Sequence, residues 1–144
     1  MIKIVSDSSA LYSKEDGQVK GISILPLIVT INGSTYNEYE DIKTKEFIDI
    51  INEGHIPVSS QPAIGEVLNV YNENEDCEII NISMADGLSG TYNSACVAKE
   101  MAENSKRIEV INSGTLCGPQ KYLVDLAVKL VELGKNKDEI VEKN

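Results

Sequence analysis

Tryptophan is absent from the sequence, and other aromatic and basic residues are scarce. The chain has one phenylalanine and six tyrosines, too few to predict an aromatic platform that stacks the bases of single-stranded nucleic acid. The 13 lysines and arginines are outnumbered by 23 aspartates and glutamates, which gives a net charge of −10 at pH 7. Such an acidic chain repels phosphate backbones and anionic lipid surfaces, so we expect no nucleic-acid partner.

Long hydrophobic runs and cysteine pairs are missing as well. The longest apolar run, Ile24–Val29, has six residues, whereas a membrane-spanning helix needs about 20. The start of the chain, Met1–Asp7, lacks the charged and apolar regions of a signal peptide. Cys77, Cys96 and Cys117 are odd in number and far apart, which argues against a disulfide framework or a zinc site. We expect a cytoplasmic protein with reduced cysteines and no stable membrane insertion.

Signatures of several enzyme classes are also missing. His55 is the only histidine, so a Ser-His-Asp arrangement would depend on it alone, and its place after Gly54 favours a turn. The chain contains no P-loop and no GxGxxG fingerprint. Gly87–Thr91 lacks the GxSxG spacing of a nucleophile elbow. Because the acidic residues are not spaced as in metal-binding loops either, no cofactor or metal is predicted.

Isoleucine and valine are abundant, and they favour buried strands. The chain has 18 Ile and 12 Val, a β-branched enrichment that suits a sheet better than a helical bundle. Pro26 predicts an edge or a break in the second extended segment, and Asn32-Gly33 predicts the turn that follows it. The extended segments rich in these residues are Ile2–Val5, Ile22–Ile31, Glu78–Ile82 and Ile108–Ile111.

Helical patterns alternate with these strands, which predicts an α/β fold with a mainly parallel sheet flanked by helices. The last helix, after a cap at Asn136 with Glu139 three places on, runs out at Asn144. A helix this short is marginal without further packing, so we expect the α/β domain of residues 1–144 to be a truncated piece of a longer chain. The predicted helices begin with Thr44 as a cap, before Ile64, at Ser89-Gly90-Thr91, near Pro119 and after Asn136.

Small hydroxyl residues and glycines follow the predicted strands. They lie in Ser6–Ser9, Ser83–Thr91 and Asn112–Thr115, and Ser59-Ser60 precedes a helix. The carboxyl ends of parallel strands are where α/β sheets bind ligands. Hydroxyls and free N–H groups at helix N-termini hold an anion without a fixed cation. The same residues are also ordinary helix caps, so the pattern predicts either a neutral anion site or a set of caps.

The order of these motifs resembles the DegV family, the fatty-acid-binding proteins that serve as carrier subunits of bacterial fatty acid kinase. Val5–Ser8 and Leu25–Leu27 match the family's opening, and Ser59–Ala63 is similar to its Thr-Ser-Gln-Pro-Ser. Gly87–Ala95 matches the most specific motif almost residue for residue. Val110–Ser113 stands where the family has Val-Ile-Asp-Ser. The resemblance covers essentially the whole chain.

This resemblance implies a non-enzymatic lipid carrier. In the family, the first hydroxyl of Thr-Ser-Gln-Pro and the serine of Leu-Ser-Gly-Thr contact the carboxylate of a long-chain fatty acid, and these positions are Ser59 and Ser89. Ser60, Gly90 and Thr91 are expected to support them. A fatty acid kinase partner then phosphorylates the bound carboxylate, so the carrier does no chemistry. Family members add a second α/β domain, and the chain resembles their N-terminal domain alone.

The helix after Thr91 carries an unusually small-residue face. Ala95, Ala98 and Ala102 lie on this face, and Ile64–Tyr71 forms an apolar stripe on the preceding helix. These side chains line either an apolar tunnel for an acyl chain or an ordinary core, and the pattern leaves both open.

Other functions remain open at this stage. Asn112 replaces the family's aspartate, and Asp86 would repel a carboxylate if it pointed inward. An enzyme, or a phosphate- or acyl-transfer subunit using the same anion site, would need His55 or a carboxylate such as Asp7 as its base. An interaction module would carry the hydroxyl loops only as caps.

Overall fold

Seven strands and six helices make up the chain, and the computed structural model describes residues 1–144 throughout. The strands are β1 (Ile2–Asp7), β2 (Ile22–Leu25), β3 (Ile28–Ile31), β4 (Ser34–Asn37), β5 (Val58–Ser60), β6 (Glu78–Ser83) and β7 (Ile108–Asn112). The helices are α1 (Lys14–Val19), α2 (Thr44–Asn52), α3 (Ile64–Glu73), α4 (Thr91–Met101), α5 (Cys117–Glu132) and α6 (Lys137–Lys143). None of these helices has the length and apolar character needed to cross a membrane.

Four strands form a parallel sheet in the order β2-β1-β6-β7. Successive side chains of a strand point to opposite faces, so Ile4 and Val5 of β1 belong to different hydrophobic cores. Ile4 packs in the core that includes Val124 of α5, whereas Val5 shares the other core with Val67 of α3 and Ala98 of α4. The helix–sheet–helix layering confirms the predicted fold class.

A second sheet is antiparallel, has the strand order β4-β3-β5, and is not predicted by the sequence. The extended segment expected over Ile22–Ile31 is divided between the two sheets, because β2 joins the parallel sheet and β3 starts the small one. The break expected at Pro26 is confirmed, in keeping with the missing N–H of proline. Asn32 and Gly33, with φ of 49° and 76°, form the expected turn between β3 and β4.

The starts of the helices that the sequence predicts agree with the structure except at α2. Its first residue is Thr44, but Lys43 is the N-cap and no side chain bonds the free N–H groups. The predicted cap at Thr44 is wrong because a capping residue has non-helical backbone angles, and Thr44 is already helical. The predicted capping box is present in α6, where Asn136 and Glu139 each accept a hydrogen bond from the other's backbone at 3.0 Å. Pro119 lies in the first turn of α5, as expected.

Helix α1 is not predicted by the sequence, because it carries no apolar stripe. Its single buried residue is Gly17. A Cβ atom at Gly17 would lie 2.6 Å from Cγ1 of Ile24, so glycine is required for α1 to approach β2 this closely. Ser13 caps the helix by accepting a hydrogen bond from the N–H of Asp16.

Candidate functional site

A cleft of about 220 Å³ lies between β5 and the N-terminus of α4. It brings together Ser59, Ser60, Ser89 and Gly90, four of the five residues that the sequence analysis selects. The fifth, Thr91, is only 3% exposed and does not line the cleft. No charged side chain lines it, so any anion held there would be held by neutral donors. The lining residues are Leu27, Ser59, Ser60, Gln61, Met84, Leu88, Ser89 and Gly90.

The edge strand β5 supplies Ser59 and Ser60. This strand of three exposed residues pairs only with β3, where Val29 is opposite Ser59 and Ile28 is opposite Ser60. No hydrogen bond within the chain involves the hydroxyl of Ser59 or Ser60. Both residues line the cleft, and neither hydroxyl is occupied by a partner within the chain.

The loop before α4 supplies Ser89 and Gly90. Ser89 Oγ accepts a hydrogen bond from the N–H of Thr91 at 3.2 Å and lies 2.8 Å from Thr91 Oγ1. Thr91 thus orients Ser89 rather than contacting the cleft itself. The N–H groups of Tyr92 and Asn93, in the first turn of α4, have no backbone acceptor. This end of the helix carries a partial positive charge, which favours an anion.

A buried carboxylate, Asp7, organises the carboxyl end of the parallel sheet. Asp7 is 1% exposed and accepts hydrogen bonds from the backbone N–H groups of Ser9 (3.1 Å) and Met84 (2.9 Å). The Ser9 hydroxyl and Gln120 Nε2 (3.1 Å) donate to it as well. These four donors tie β1 to α5 and to the loop after β6. Asp7 is therefore enclosed by structural partners and does not face the cleft.

Gln120 is a residue of this network that the sequence analysis misses. Its side chain is fully buried, and its Nε2 lies within hydrogen-bond distance of Ser6 Oγ (3.2 Å) as well as Asp7. Its Oε1 lies 2.6 Å from Ser9 Oγ. A single glutamine in the first turn of a helix carries no periodicity that distinguishes it from a solvated residue, so the sequence offered no signal.

The other predicted hydroxyl loops are engaged inside the fold. Ser6 donates to the carbonyl of Ile82 at 2.7 Å, and Ser8 donates to Glu38 at 2.6 Å. In the loop after β7, Ser113 Oγ accepts from the N–H of Thr115 at 3.3 Å. The segments Ser6–Ser9 and Asn112–Thr115 therefore serve as internal hydrogen-bond partners or turn caps. Of the four segments, only Ser59-Ser60 and Ser83–Thr91 contribute residues to the cleft.

The two departures from the family pattern lie outside the cleft. Asp86 is exposed and does not line the cleft. The condition for repelling a bound carboxylate, an Asp86 side chain that points inward, is therefore not met. Asn112 Oδ1 accepts from the N–H of Gly114 at 3.1 Å and stabilises the loop after β7. Neither residue lines the cleft.

The small-residue face of α4 packs as core. Ala95, Ala98 and Ala102 lie in one buried cluster with Val67 and Tyr71 of α3. Tyr71 accepts a hydrogen bond from Asn81 at 2.8 Å and donates to the carbonyl of Ala95 at 3.3 Å, and its burial raises the pKa of the phenol. Of the two readings of these helices, the ordinary core is the one the structure shows.

Residues that an enzymatic function would need are apart from the cleft. His55 lies in the turn between α2 and β5, is half-buried, and does not line the cleft. No group of three or more His, Cys, Asp or Glu side chains is arranged to hold a metal ion.

Comparison with known proteins connects this geometry to a family. The model of the DegV protein family matches residues 1–144. The chain belongs to the DegV family. A DegV domain-containing protein of Staphylococcus aureus strain N315 is 39% identical over 142 residues, which cover 97% of this chain and 50% of that relative.

Solved structures share the DegV fold. The DegV fatty-acid-binding protein from Bacillus subtilis is 30% identical with a TM-score of 0.88, over 99% of this chain and 51% of its own. A fatty-acid-binding DegV protein from Thermus thermophilus is 26% identical with a TM-score of 0.89, and the match covers 99% of this chain and 51% of that protein. The FakB3 protein of fatty acid kinase from Streptococcus pneumoniae, loaded with linoleic acid, shares the fold at 20% identity and a TM-score of 0.84, over 99% and 52%. This DegV chain spans about half the length of these proteins.

Proposed function

We propose that this chain is the head-group half of a fatty-acid carrier, in which Ser59 and Ser89 hold the carboxylate of a long-chain fatty acid. The observation that carries the proposal is the cleft at the start of α4, which both serines line and which no charged side chain enters. The solved DegV proteins of comparable fold that bind fatty acids support the ligand class.

Neutral donors suit a carboxylate on a chain with a net charge of −10. The free hydroxyls of Ser59 and Ser60 and the unpaired N–H groups at the α4 N-terminus are donors that need no cation. Hydrogen bonds to a charged acceptor are stronger than those to a neutral one. A carboxylate placed there satisfies several of these donors at once.

The size of the cleft limits it to the head group. At about 220 Å³ it is smaller than the roughly 300–1,000 Å³ of sites that enclose a drug-sized ligand. The two cores of the chain are packed, so the acyl chain does not lie between α3 and α4. The proposal therefore includes a second domain, of the kind expected from the resemblance, that covers the acyl chain.

The carrier itself does no chemistry in this proposal, and a fatty acid kinase acts on the carboxylate. Asp7 is buried, and neither Asp7 nor His55 lines the cleft, which supports this division. The FakB3 neighbour supports the choice of partner, since that protein belongs to fatty acid kinase.

The test compares the free acid with its uncharged ester. The purified protein is titrated with oleate and with methyl oleate, and native mass spectrometry of protein prepared without detergent records any bound lipid. We expect oleate to bind more tightly, because the ester lacks the charge that the neutral donors recognise.

Two other outcomes would contradict the proposal. No binding of either lipid would favour an interaction module, whose hydroxyl loops act only as caps. Turnover of an acyl or phosphoryl substrate without a partner protein, lost in Asp7→Asn, would favour an enzyme instead.

A further inference from the structure

The side chain of Gln61 lies across the backbone of Gly90. A Cβ atom at Gly90 would be 2.7 Å from Gln61 Oε1 and 3.0 Å from both Cδ and Nε2. Real Cβ atoms do not approach heavy atoms to 2.7 Å, so only glycine at position 90 admits the amide at this distance. The two motifs, Ser59–Ala63 and Gly87–Ala95, are thus in direct contact through this pair.

Gln61 also bonds the first turn of α4. Its Nε2 donates to the hydroxyl of Ser94 at 3.2 Å. Ser94 is 5% exposed and its N–H bonds the carbonyl of Gly90 at 2.9 Å, so it belongs to the helix proper. The amide of Gln61 therefore contacts both the N-cap residue and the first turn of this helix.

The strand that carries Ser59 has few other attachments. β5 pairs with β3 over three residues, on one side only, and all three are exposed. Gln61 follows this strand directly, and buried Pro62 comes next. The Gln61 amide donates the side-chain hydrogen bond that joins this end of β5 to α4.

We propose that Gln61 is a positioning residue, which locks β5 onto α4 and so fixes the separation of the Ser59 and Ser89 hydroxyls. The proposal rests on the function given above, in which both hydroxyls must reach one carboxylate. A head-group site needs its donors held within about 0.5 Å of the productive geometry. Gln61 also lines the cleft, but its proposed role is to hold β5 against α4 through Ser94 and Gly90.

A double-mutant cycle isolates the contact between Gln61 and Gly90. Gln61→Ala removes the amide, Gly90→Ala pushes it away, and the double variant carries both changes. Gln18→Ala, at an exposed glutamine of α1, and Gly65→Ala, in α3 where nothing lies within 4 Å of an added Cβ, are the matched controls. Each variant is titrated with oleate and with methyl oleate at a temperature well below its unfolding midpoint.

We expect Gln61→Ala and Gly90→Ala each to lower the oleate affinity about 5-fold or more, an effect of the size that a lost hydrogen bond produces. The affinity for methyl oleate should change by less than about 2-fold, since the ester depends less on the two hydroxyls. The double variant should bind oleate no more weakly than Gly90→Ala alone, because the amide is already displaced there. Additive losses, or equal losses for both lipids, would overturn the positioning role.

A ligand-free measurement separates this proposal from the proposed function. In ¹H–¹⁵N spectra of the protein alone, Gln61→Ala should move the amide signals of Ser59 and Ser89, and Gln18→Ala should not. Unmoved signals overturn the proposal whether or not oleate binds. If the wild-type protein binds no oleate, the proposed function is wrong. The spectra still test whether Gln61 positions Ser59 and Ser89. Ser94→Ala, which removes only the hydrogen bond, provides the same readout if Gln61→Ala does not fold.

Discussion

Ser59 on the edge strand β5 and Ser89 in the loop before α4 line the same cleft, although they belong to different motifs of the chain. Ser59 comes from the small antiparallel sheet, whereas Ser89 ends the loop that follows β6 of the parallel sheet. The site thus lies between the small sheet and the loop that leaves the parallel sheet, and a serine from each lines it.

Removing either hydroxyl should weaken the binding of a fatty acid. We expect Ser59→Ala and Ser89→Ala each to weaken oleate binding by about 1.5–3 kcal/mol, the range for a hydrogen bond to a charged group. Calorimetric titration measures this effect. Ser34→Ala, the same change at an exposed position of β4, is the control and should bind oleate like the wild type. Equal affinities in all four proteins would exclude the two serines.

Replacing the buried carboxylate of Asp7 should destabilise the fold. In Asp7→Asn the new NH₂ group meets the N–H groups of Ser9 or Met84, so at least one buried donor loses its acceptor. We expect the free energy of unfolding to fall by about 1–3 kcal/mol, measured by urea denaturation. Asp76→Asn, at an exposed position, should leave stability unchanged. A wild-type unfolding midpoint in Asp7→Asn would show that the network around Asp7 is not required.

A cluster between α1 and α5 should make stability depend on pH. Burial raises the pKa of the Asp125 carboxyl, but hydrogen bonds from Lys121, Tyr12 and Lys20 outweigh it and hold the pKa below its ordinary value. A depressed pKa stabilises the fold above the unfolded-state pKa of about 3.9, and this contribution is lost as the pH falls through the folded-state pKa.

We expect the difference in the free energy of unfolding between wild type and Asp125→Asn to become smaller at acidic pH. Wild type should be more stable than Asp125→Asn at pH 6, and the gap should close as the pH is lowered through 4, as followed by urea denaturation at each pH. The gap between wild type and the exposed control Asp76→Asn should stay constant. A gap for Asp125→Asn that does not change with pH would contradict the assigned ion pairing.

The last helix, α6, should depend on its capping box. Its fully buried Ile140 packs in the same core as β1 and α5, which gives the helix the tertiary packing that a helix of seven residues needs. Asn136→Ala removes the side-chain acceptor for the N–H of Glu139. We expect a loss of about 0.5–2 kcal/mol in the free energy of unfolding. Glu142→Ala, exposed on the same helix, is the control, and equal stability of the two variants would contradict a role for the cap.

Local sequence patterns predict the parallel sheet well and the small sheet poorly. In the run Glu78–Ile82 every residue after Glu78 is buried, on both faces of the strand, so its isoleucines stand out. β4, with the sequence Ser-Thr-Tyr-Asn, and β5, with three exposed residues, have no apolar face to recognise. Their pairing with β3 depends on tertiary context, which a local pattern does not contain.

The sequence also predicts which residue types form the site better than it predicts which of them are free. Ser6, Ser9 and Ser59 look alike in a list of hydroxyls near strand ends. In the fold, Ser6 and Ser9 bond Ile82 and Gln120, and Ser59 keeps its hydroxyl open. Whether a hydroxyl is free depends on hydrogen bonds between residues more than 70 positions apart in the sequence. The spacing of residues in a local motif does not predict such bonds.

The structure of this protein with bound oleate tests the central claim most directly. The account predicts a carboxylate in the cleft, with its oxygens within about 3.2 Å of both Ser59 Oγ and Ser89 Oγ, and an acyl chain leading out of the cleft. A carboxylate bound elsewhere on the chain, or one in the cleft that contacts neither hydroxyl, would contradict it.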